Sequence, residues 1–180
     1  MKVGMMKKEF SIFFYIEKDG VKRFCDDTHM NIQNYNYKTI IDPSVKNCSY
    51  MFLGCKSFDQ PVTMFDQVED CEGMFASCNS FNQPIKLSRS VNCCNSMFFG
   101  CRSFDQSVTI PGTARDCMQM FSGCKSLNKS IVLSHGTENC HHMFQDCTAF
   151  NQPIEIPDSV KYCDKMFQNC KSFDQSVFKL

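Results

Sequence analysis

The dipeptide Met-Phe recurs every 23 residues without an insertion, and this period constrains the fold more than any other feature of the chain. Cysteines bracket each dipeptide at fixed offsets, so that the pattern C-x2-M-F-x2-C occurs six times. A period of this length is typical of a solenoid, in which equivalent residues of successive copies stack into columns. The predicted core column consists of Met51, Phe52, Met74, Phe75, Met97, Phe98, Met120, Phe121, Met143, Phe144, Met166 and Phe167.

Each copy has two halves with different apolar periods. Val108 and Ile110 alternate around Thr109, which predicts a short strand with one buried face. Stacked copies would then form a parallel sheet with about 4.8 Å between strands. In the other half, apolar residues at i, i+3, i+4 and i+7 predict a short α or 3₁₀ helical segment. The expected fold class is therefore an α/β solenoid, with a parallel sheet on one face and short helical segments on the other.

The chain divides into three predicted regions. Residues 1–24 contain two β-rich runs around Asp19-Gly20, which favours a hairpin that covers the first copy. Residues 25–47 keep the register in degenerate form and are interpreted as a capping repeat. Residues 48–180 contain the six regular copies. The strand that begins at Val177 is expected to present an unpaired edge, and a homodimer joined there is predicted.

The motifs of residues 48–180 resemble the BspA-like leucine-rich repeats. The phrases Phe81-Asn82-Gln83-Pro84-Ile85 and Phe150-Asn151-Gln152-Pro153-Ile154, together with the Met-Phe dipeptide, are similar to the form found in mycoplasma surface lipoproteins. The resemblance implies a right-handed, leucine-rich-repeat-like coil and an adhesive or interaction role without catalytic residues. This chain differs in having cysteine at positions where that form commonly has alanine or methionine.

The 14 cysteines permit several interpretations. We expect two columns of buried, reduced thiols that act as small hydrophobic groups, which favours a cytoplasmic location over a virion, secreted or cell-surface one. If the Met-Phe segment were helical, neighbouring copies would lie about 8–10 Å apart there, too far for disulfides between equivalent cysteines. A disulfide framework remains the alternative. Cys93 is out of register, among polar equivalents, and is predicted to be the most exposed thiol.

The sequence suggests three other kinds of site: a zinc site, a Cys/His nucleophile pair and a calcium site. Cys140, His141, His142 and Cys147 could ligate zinc, but their spacing matches no established zinc motif, and the repeat already explains both cysteines. A Cys/His nucleophile pair lacks an orienting third group, so no enzyme and no cofactor is expected. The column of Asp and Asn residues before each strand suggests calcium binding, but a structural role in satisfying backbone groups is preferred.

The residues that differ from copy to copy are the candidates for a functional role. Equal numbers of basic and acidic residues, 19 each, argue against a nucleic-acid partner, and no apolar run is long enough for a membrane span. We predict a non-catalytic scaffold that binds a protein through the exposed face of the sheet; the alternative is a structural component that assembles through its last copy. The candidate contact residues are Thr63, Lys86, Thr109, Val132, Glu155 and Phe178.

Overall fold

The computed structural model describes the backbone of residues 5–7, 10–12, 14–18, 21–24, 38–41, 43–64 and 66–179, and the side chains of residues 41, 43–64 and 66–177. The predicted capping repeat is therefore described only from Lys38 onward, and Cys25 lies outside the described residues. All six Met-Phe copies are described over nearly their whole length.

Ten short strands occur in the described residues. The first five are β1 (Met5–Lys7), β2 (Phe10–Ile12), β3 (Phe14–Lys18), β4 (Val21–Phe24) and β5 (Lys38–Ile41). The next five belong to the repeats: β6 (Val62–Thr63), β7 (Val108–Ile110), β8 (Ile131–Leu133), β9 (Ile154–Ile156) and β10 (Val177–Lys179).

The N-terminal strands join the first copy edge to edge. β3 and β4 are antiparallel with Lys18 opposite Val21, so the Asp19-Gly20 dipeptide falls between them. β3 also pairs antiparallel with β5, and β5 pairs parallel with β6 of the first copy. The first of the two β-rich runs, residues 10–16, is divided between β2 and the start of β3, because β2 pairs with β1 while β3 pairs with β4 and β5.

The repeat strands pair with a register of one period. Val108 lies beside Ile131, and Val177 lies beside Ile154, in parallel ladders. In β7, β8 and β9 the outer residues are buried and the central residue is exposed, as the alternation of the sequence predicts. Within the described part of the chain the ladders β5–β6, β7–β8 and β9–β10 are separate. Residues 85–87 alternate in burial without ladder pairing.

The Met-Phe segments are turns, and the prediction of short helices there was wrong. Between Cys48 and Cys55, one set of amide groups donates back three residues, as Met51 N does to Cys48 O at 3.2 Å. The alternate amides donate to the next copy, as Phe52 N does to Met74 O at 2.8 Å. Consecutive turns bury the same i, i+3, i+4 and i+7 positions that a helix would, which is why the sequence pattern does not distinguish them.

Left-handed backbone at two positions of every copy explains why helix formation fails. One position is the residue before Met, and the other follows Phe by two residues. The first set is Tyr50, Gly73, Ser96, Gln119, His142 and Lys165, with φ between 54° and 56°. The second set is Gly54, Ser77, Gly100, Gly123, Asp146 and Asn169, with φ between 61° and 76°. Each left-handed residue interrupts a right-handed helix.

The core is a double column of stacked phenylalanine rings. Phe75 and Phe98, equivalent residues of adjacent copies, have centroids 5.6 Å apart and planes 6° apart. Within one copy, Phe98 lies 4.3 Å from Phe104. Leu127 replaces phenylalanine in the fourth copy and is also fully buried. All six methionines of the Met-Phe dipeptides are buried against these rings.

Candidate functional site

The candidate contact residues occupy equivalent positions, one per copy, and we call them the strand row. Five of them lie on strands, and Lys86 lies at the equivalent position of the second copy, where residues 85–87 form no ladder. Thr109 is paired in register with Val132, and Phe178 with Glu155, so neighbouring members lie side by side. Lys86, Thr109, Val132 and Glu155 are exposed, whereas Thr63 is half-buried. The side chain of Phe178 lies outside the described side chains.

The chemistry of the strand row changes from copy to copy. Lys86 carries a positive charge, Glu155 a negative charge three copies away, and Val132 between them is 50% exposed. Around Lys86, Thr109, Val132 and Glu155 the flanking positions are apolar and buried, for example Ile131 and Leu133 on either side of Val132. The row therefore combines unlike charges with one exposed apolar side chain.

A ladder of Asp and Asn side chains runs beside the strands. Each side-chain oxygen accepts the backbone N–H of the equivalent residue in the next copy, as Asn82 Oδ1 does from Asp105 N at 2.8 Å. The same contact recurs at 2.8–3.1 Å from Asp59 to Asp174. These oxygens satisfy backbone donors, which is the structural role preferred over calcium ligation.

Glutamine side chains reinforce this ladder. Gln106 Nε2 donates to Asn82 Oδ1 at 3.0 Å, and Gln83 Nε2 donates to Asp59 Oδ1 at 2.9 Å. The equivalent residue of the fourth copy is Lys129, an exposed cation that cannot make the same amide contact with Asp105. The Asp, Asn and Gln columns thus belong to the scaffold and leave the strand row as the variable surface.

The second cysteine of each copy from the second to the sixth donates a hydrogen bond to the preceding copy. Cys101 Sγ lies 3.0 Å from Phe75 O, and Cys124 Sγ lies 3.1 Å from Phe98 O. The same thiol-to-carbonyl contact occurs at Cys78, Cys147 and Cys170. Cysteine at this position therefore supplies a small apolar group and a weak donor in one side chain.

The first cysteine of each of the first five copies lies in a second buried column. Burial raises the pKa of the Cys48 thiol to about 12, and it also raises the pKa of Cys71 and Cys140 far above the ordinary range. A hydrogen bond with Cys117 and burial together raise the pKa of Cys94. All thirteen cysteines from Cys48 to Cys170 are free thiols, and those buried in the columns stay protonated at neutral pH.

The prediction that Cys93 is the most exposed thiol was wrong, because among the thirteen cysteines that the structure describes Cys163 is exposed and Cys93 is only half-buried. Cys93 is half-buried and joins an unbroken column of parallel bridges, in which it lies between Asp70 and Asp116. Burial raises its pKa to about 11, an effect opposed by the N–H of Asn95, which donates to the sulfur. Cys93 therefore takes the place of Asp70 and Asp116, whose oxygens accept the N–H groups of Glu72 and Met118.

Cys163 is a column position that the sequence pattern predicted to be buried. Its equivalents from Cys48 to Cys140 are covered by the next copy, whereas the sixth copy has a described neighbour on one side only.

Two residues of the zinc alternative, Cys147 and His141, have other polar partners, whereas His142 Nδ1 is buried without a hydrogen-bond partner among the described residues. Cys147 Sγ donates to Phe121 O at 3.0 Å, and His141 Nδ1 lies 3.6 Å from Asp164 Oδ2. The rings of His141 and His142 meet edge to face at 4.1 Å. Over the described ranges, no group of three or more His, Cys, Asp or Glu residues is placed to hold a metal ion.

An apolar patch on the turn side was missed by the sequence analysis. Leu53 is 54% exposed and Phe99 is 39% exposed, with the buried methyl group of Ala76 in the equivalent position between them. The residue after the Met-Phe dipeptide is apolar in these three copies and polar in the next three, which is the sequence evidence that could have identified it.

Comparisons with known proteins give one match. A family model described as "Mycoplasma protein of unknown function, DUF285" matches residues 21–110 and 112–180. Searches of curated proteins and of solved structures returned no match. In the described residues, no helix has the length and apolar character needed to cross a membrane.

Proposed function

The chain belongs to the mycoplasma-type repeat family DUF285, whose function is unknown, and from that premise we propose that it is a non-catalytic scaffold that binds a protein partner along the strand row. The observation that carries this proposal is the contrast between the row and its surroundings. Thr109, Val132 and Glu155 are exposed and chemically different, while the residues on both sides of each are buried and alike.

The proposed architecture is a leucine-rich-repeat-like solenoid related to the BspA-like repeats. It is supported by contacts that recur with the period of the sequence, namely the stacked rings, the Asp/Asn ladder and the bridges from Asn47 to Tyr162. A repeat scaffold of this kind holds surface residues at a fixed spacing. A partner with an acidic group near Lys86 and a basic group near Glu155 would complement the row.

The test is a capture experiment with matched surface variants. A photo-crosslinking residue at Thr109 should form an adduct with a partner in cell extract, and the adduct should disappear in a Lys86→Glu, Val132→Lys double variant. The control is a Lys56→Glu, Lys125→Glu variant, which changes exposed charges outside the strand row. Equal capture by both variants, or no adduct at Thr109, would contradict the proposed binding face.

The second candidate function is assembly through the last copy. Val177 is 42% exposed, and Phe167 and Phe173 are only half-buried, whereas the equivalent residues of inner copies are buried. A second copy of the chain stacked there would cover them. Light scattering on size-exclusion fractions should then give a dimer that Val177→Lys converts to a monomer, and a wild-type monomer at tens of micromolar would exclude this function.

The reduced state of the cysteines is part of the proposal, because it implies a reducing compartment such as the cytoplasm. Protein isolated with thiols blocked at lysis should give a count near 14 under denaturing, non-reducing conditions. A count near zero would instead indicate a disulfide framework and an oxidising location.

A further inference from the structure

The spacing between copies on the cysteine side is that of paired strands. Equivalent rings of the fifth and sixth copies, Phe144 and Phe167, have centroids 5.5 Å apart and planes 1° apart. The sequence argument against disulfides between equivalent cysteines assumed helical segments about 8–10 Å apart. Because the segments are turns joined by backbone hydrogen bonds, that argument does not hold.

Cys140 and Cys163 are neighbours in this geometry. Asn139 and Tyr162, the residues just before them, form a parallel bridge, and Cys140 N donates to Tyr162 O at 2.7 Å. Adjacent strand-like segments lie about 4.8 Å apart, within the roughly 4.4–6.8 Å between Cα atoms that a disulfide requires. Cys163 also contributes electrostatically to the raised pKa of Cys140, which agrees with the proximity of the two sulfurs.

The two thiols differ in access. Cys163 is exposed, whereas Cys140 is fully buried beneath it. The other pair at the same copies, Cys147 and Cys170, has both thiols bonded to carbonyl oxygens at 3.0 Å and 2.9 Å. Among the thirteen described cysteines, Cys163 is the one with an exposed side chain, so it is the most accessible of them to a dissolved oxidant.

We propose that Cys163 is an oxidation site for hydroperoxides and that Cys140 resolves the oxidised sulfur into a disulfide that ties the sixth copy to the fifth. The Cys163 thiolate attacks one peroxide oxygen, the O–O bond breaks, and the alkoxide or hydroxide leaves and is protonated. Cys163 is then a sulfenic acid, oxidised by two electrons. Cys140 sulfur attacks it, the S–S bond forms, the S–OH bond breaks, and hydroxide leaves as water with the proton of Cys140.

The experiment treats the reduced, full-length protein with a small excess of hydrogen peroxide. The number of free thiols should fall by two from the 14 of the sequence. Trypsin cuts after Lys161 and Lys165, so Cys163 should appear in the short peptide Tyr162–Lys165, linked through a disulfide to the peptide that holds Cys140. Fragmentation of the linked pair distinguishes Cys140 from Cys147 in that longer peptide.

Two variants separate this reaction from general oxidation. Cys163→Ser changes an exposed side chain, should fold normally, and should lose no thiols under the same treatment. Cys93→Ser removes the half-buried thiol outside the columns and should form the disulfide as the wild type does. Over-oxidation of Cys163 with Cys140 still free, a disulfide between two chains through Cys163, or a bridge in the Cys163→Ser variant would overturn the proposal.

Discussion

At the scale of single residues, Thr137 differs in type from the residues at the equivalent position of other copies. Thr137 is completely buried at a position that is Val45, Val68, Val91 or Val160 in other copies. Its hydroxyl oxygen has no hydrogen-bond partner among the described residues. A buried hydroxyl without a partner costs about 1–3 kcal/mol.

Thr137→Val should therefore stabilise the protein by about 1 kcal/mol in urea unfolding, because it removes the unsatisfied hydroxyl and keeps the shape of the side chain. Thr113→Val is the matched control. Thr113 Oγ1 lies 2.8 Å from Arg89 O and 2.7 Å from Val91 O, and its single proton is donated to one of these carbonyls or shared between them, so this variant should lose about 0.5–1.5 kcal/mol. Destabilisation by both substitutions would mean that Thr137 has a partner, such as a buried water.

At the scale of the element, the consecutive turns depend on two left-handed residues in each copy. Gly123 has φ +76°, and a Cβ built there meets the Cα of Gly100 at 3.4 Å, an ordinary contact. A substitution at Gly123 therefore tests the cost of the left-handed backbone more than the steric room for a side chain. The equivalent residue of the sixth copy is Asn169 at φ 62°, and asparagine tolerates this region better than other side chains do.

We expect Gly123→Val to destabilise the protein by about 1–2 kcal/mol, since a β-branched residue is strained at positive φ. Gly123→Asn should change the free energy of unfolding by less than about 0.5 kcal/mol. Thermal and urea unfolding of both variants measure the difference. Equal losses would show that side-chain volume, not the left-handed backbone, decides this position.

The turn element also shows what the sequence could and could not predict. The burial of Cys48, Met51 and Phe52 followed from their spacing. The backbone conformation did not follow from the spacing, because that spacing fits one face of a helix and a series of turns equally well. Whether the segment forms a helix or turns depends on which copy accepts each amide hydrogen bond. This is a property of the stacked array and not of one copy.

A pattern within one copy carries no information about the neighbouring copies, and this also explains how the predictions for the strand row and for the cysteines compare with the structure. The strand row follows from alternation around Thr109 and Val132, which is local. The exposure of Cys163 and the burial of Cys93 depend on what covers each copy, and a pattern within one copy does not contain that information. The assignment of a partner to the row rests on its variation and stays a prediction.

At the scale of the whole molecule, the thiol columns link stability to alkaline pH. Burial raises the pKa of Cys101 to about 12 and that of Cys48 to about 12, while thiols in an unfolded chain ionise near pH 8.5. Above that pH the unfolded chain releases thiol protons that the folded chain retains. The free energy of unfolding therefore falls as the pH rises, until the pH passes the pKa of the thiol in the folded chain.

Each such thiol should lower the free energy of unfolding by about 1.4 kcal/mol per pH unit above roughly pH 9. We expect the urea midpoint to fall steeply between about pH 9 and pH 11, and the slope to decrease in a Cys101→Ala variant compared at equal starting stability. A midpoint that stays constant to pH 10 would show that these thiols are not buried in the folded chain.

The central claim is that the 23-residue copy is the structural unit and that each copy stacks on its neighbours through equivalent contacts. Excision of residues 94–116 removes one complete copy and joins Cys93 to Cys117, which keeps every column in register. Excision of residues 94–105 removes about half a copy and breaks the register. Cooperative urea unfolding, followed by circular dichroism, is the measurement that compares them.

The account predicts that the protein lacking 94–116 folds cooperatively, with a reduced free energy of unfolding and a smaller dependence on urea, since less surface is buried. The protein lacking 94–105 should show no cooperative transition. If both deletions unfold the protein equally, or if the shorter deletion is the better tolerated, the 23-residue copy is not the unit of this structure.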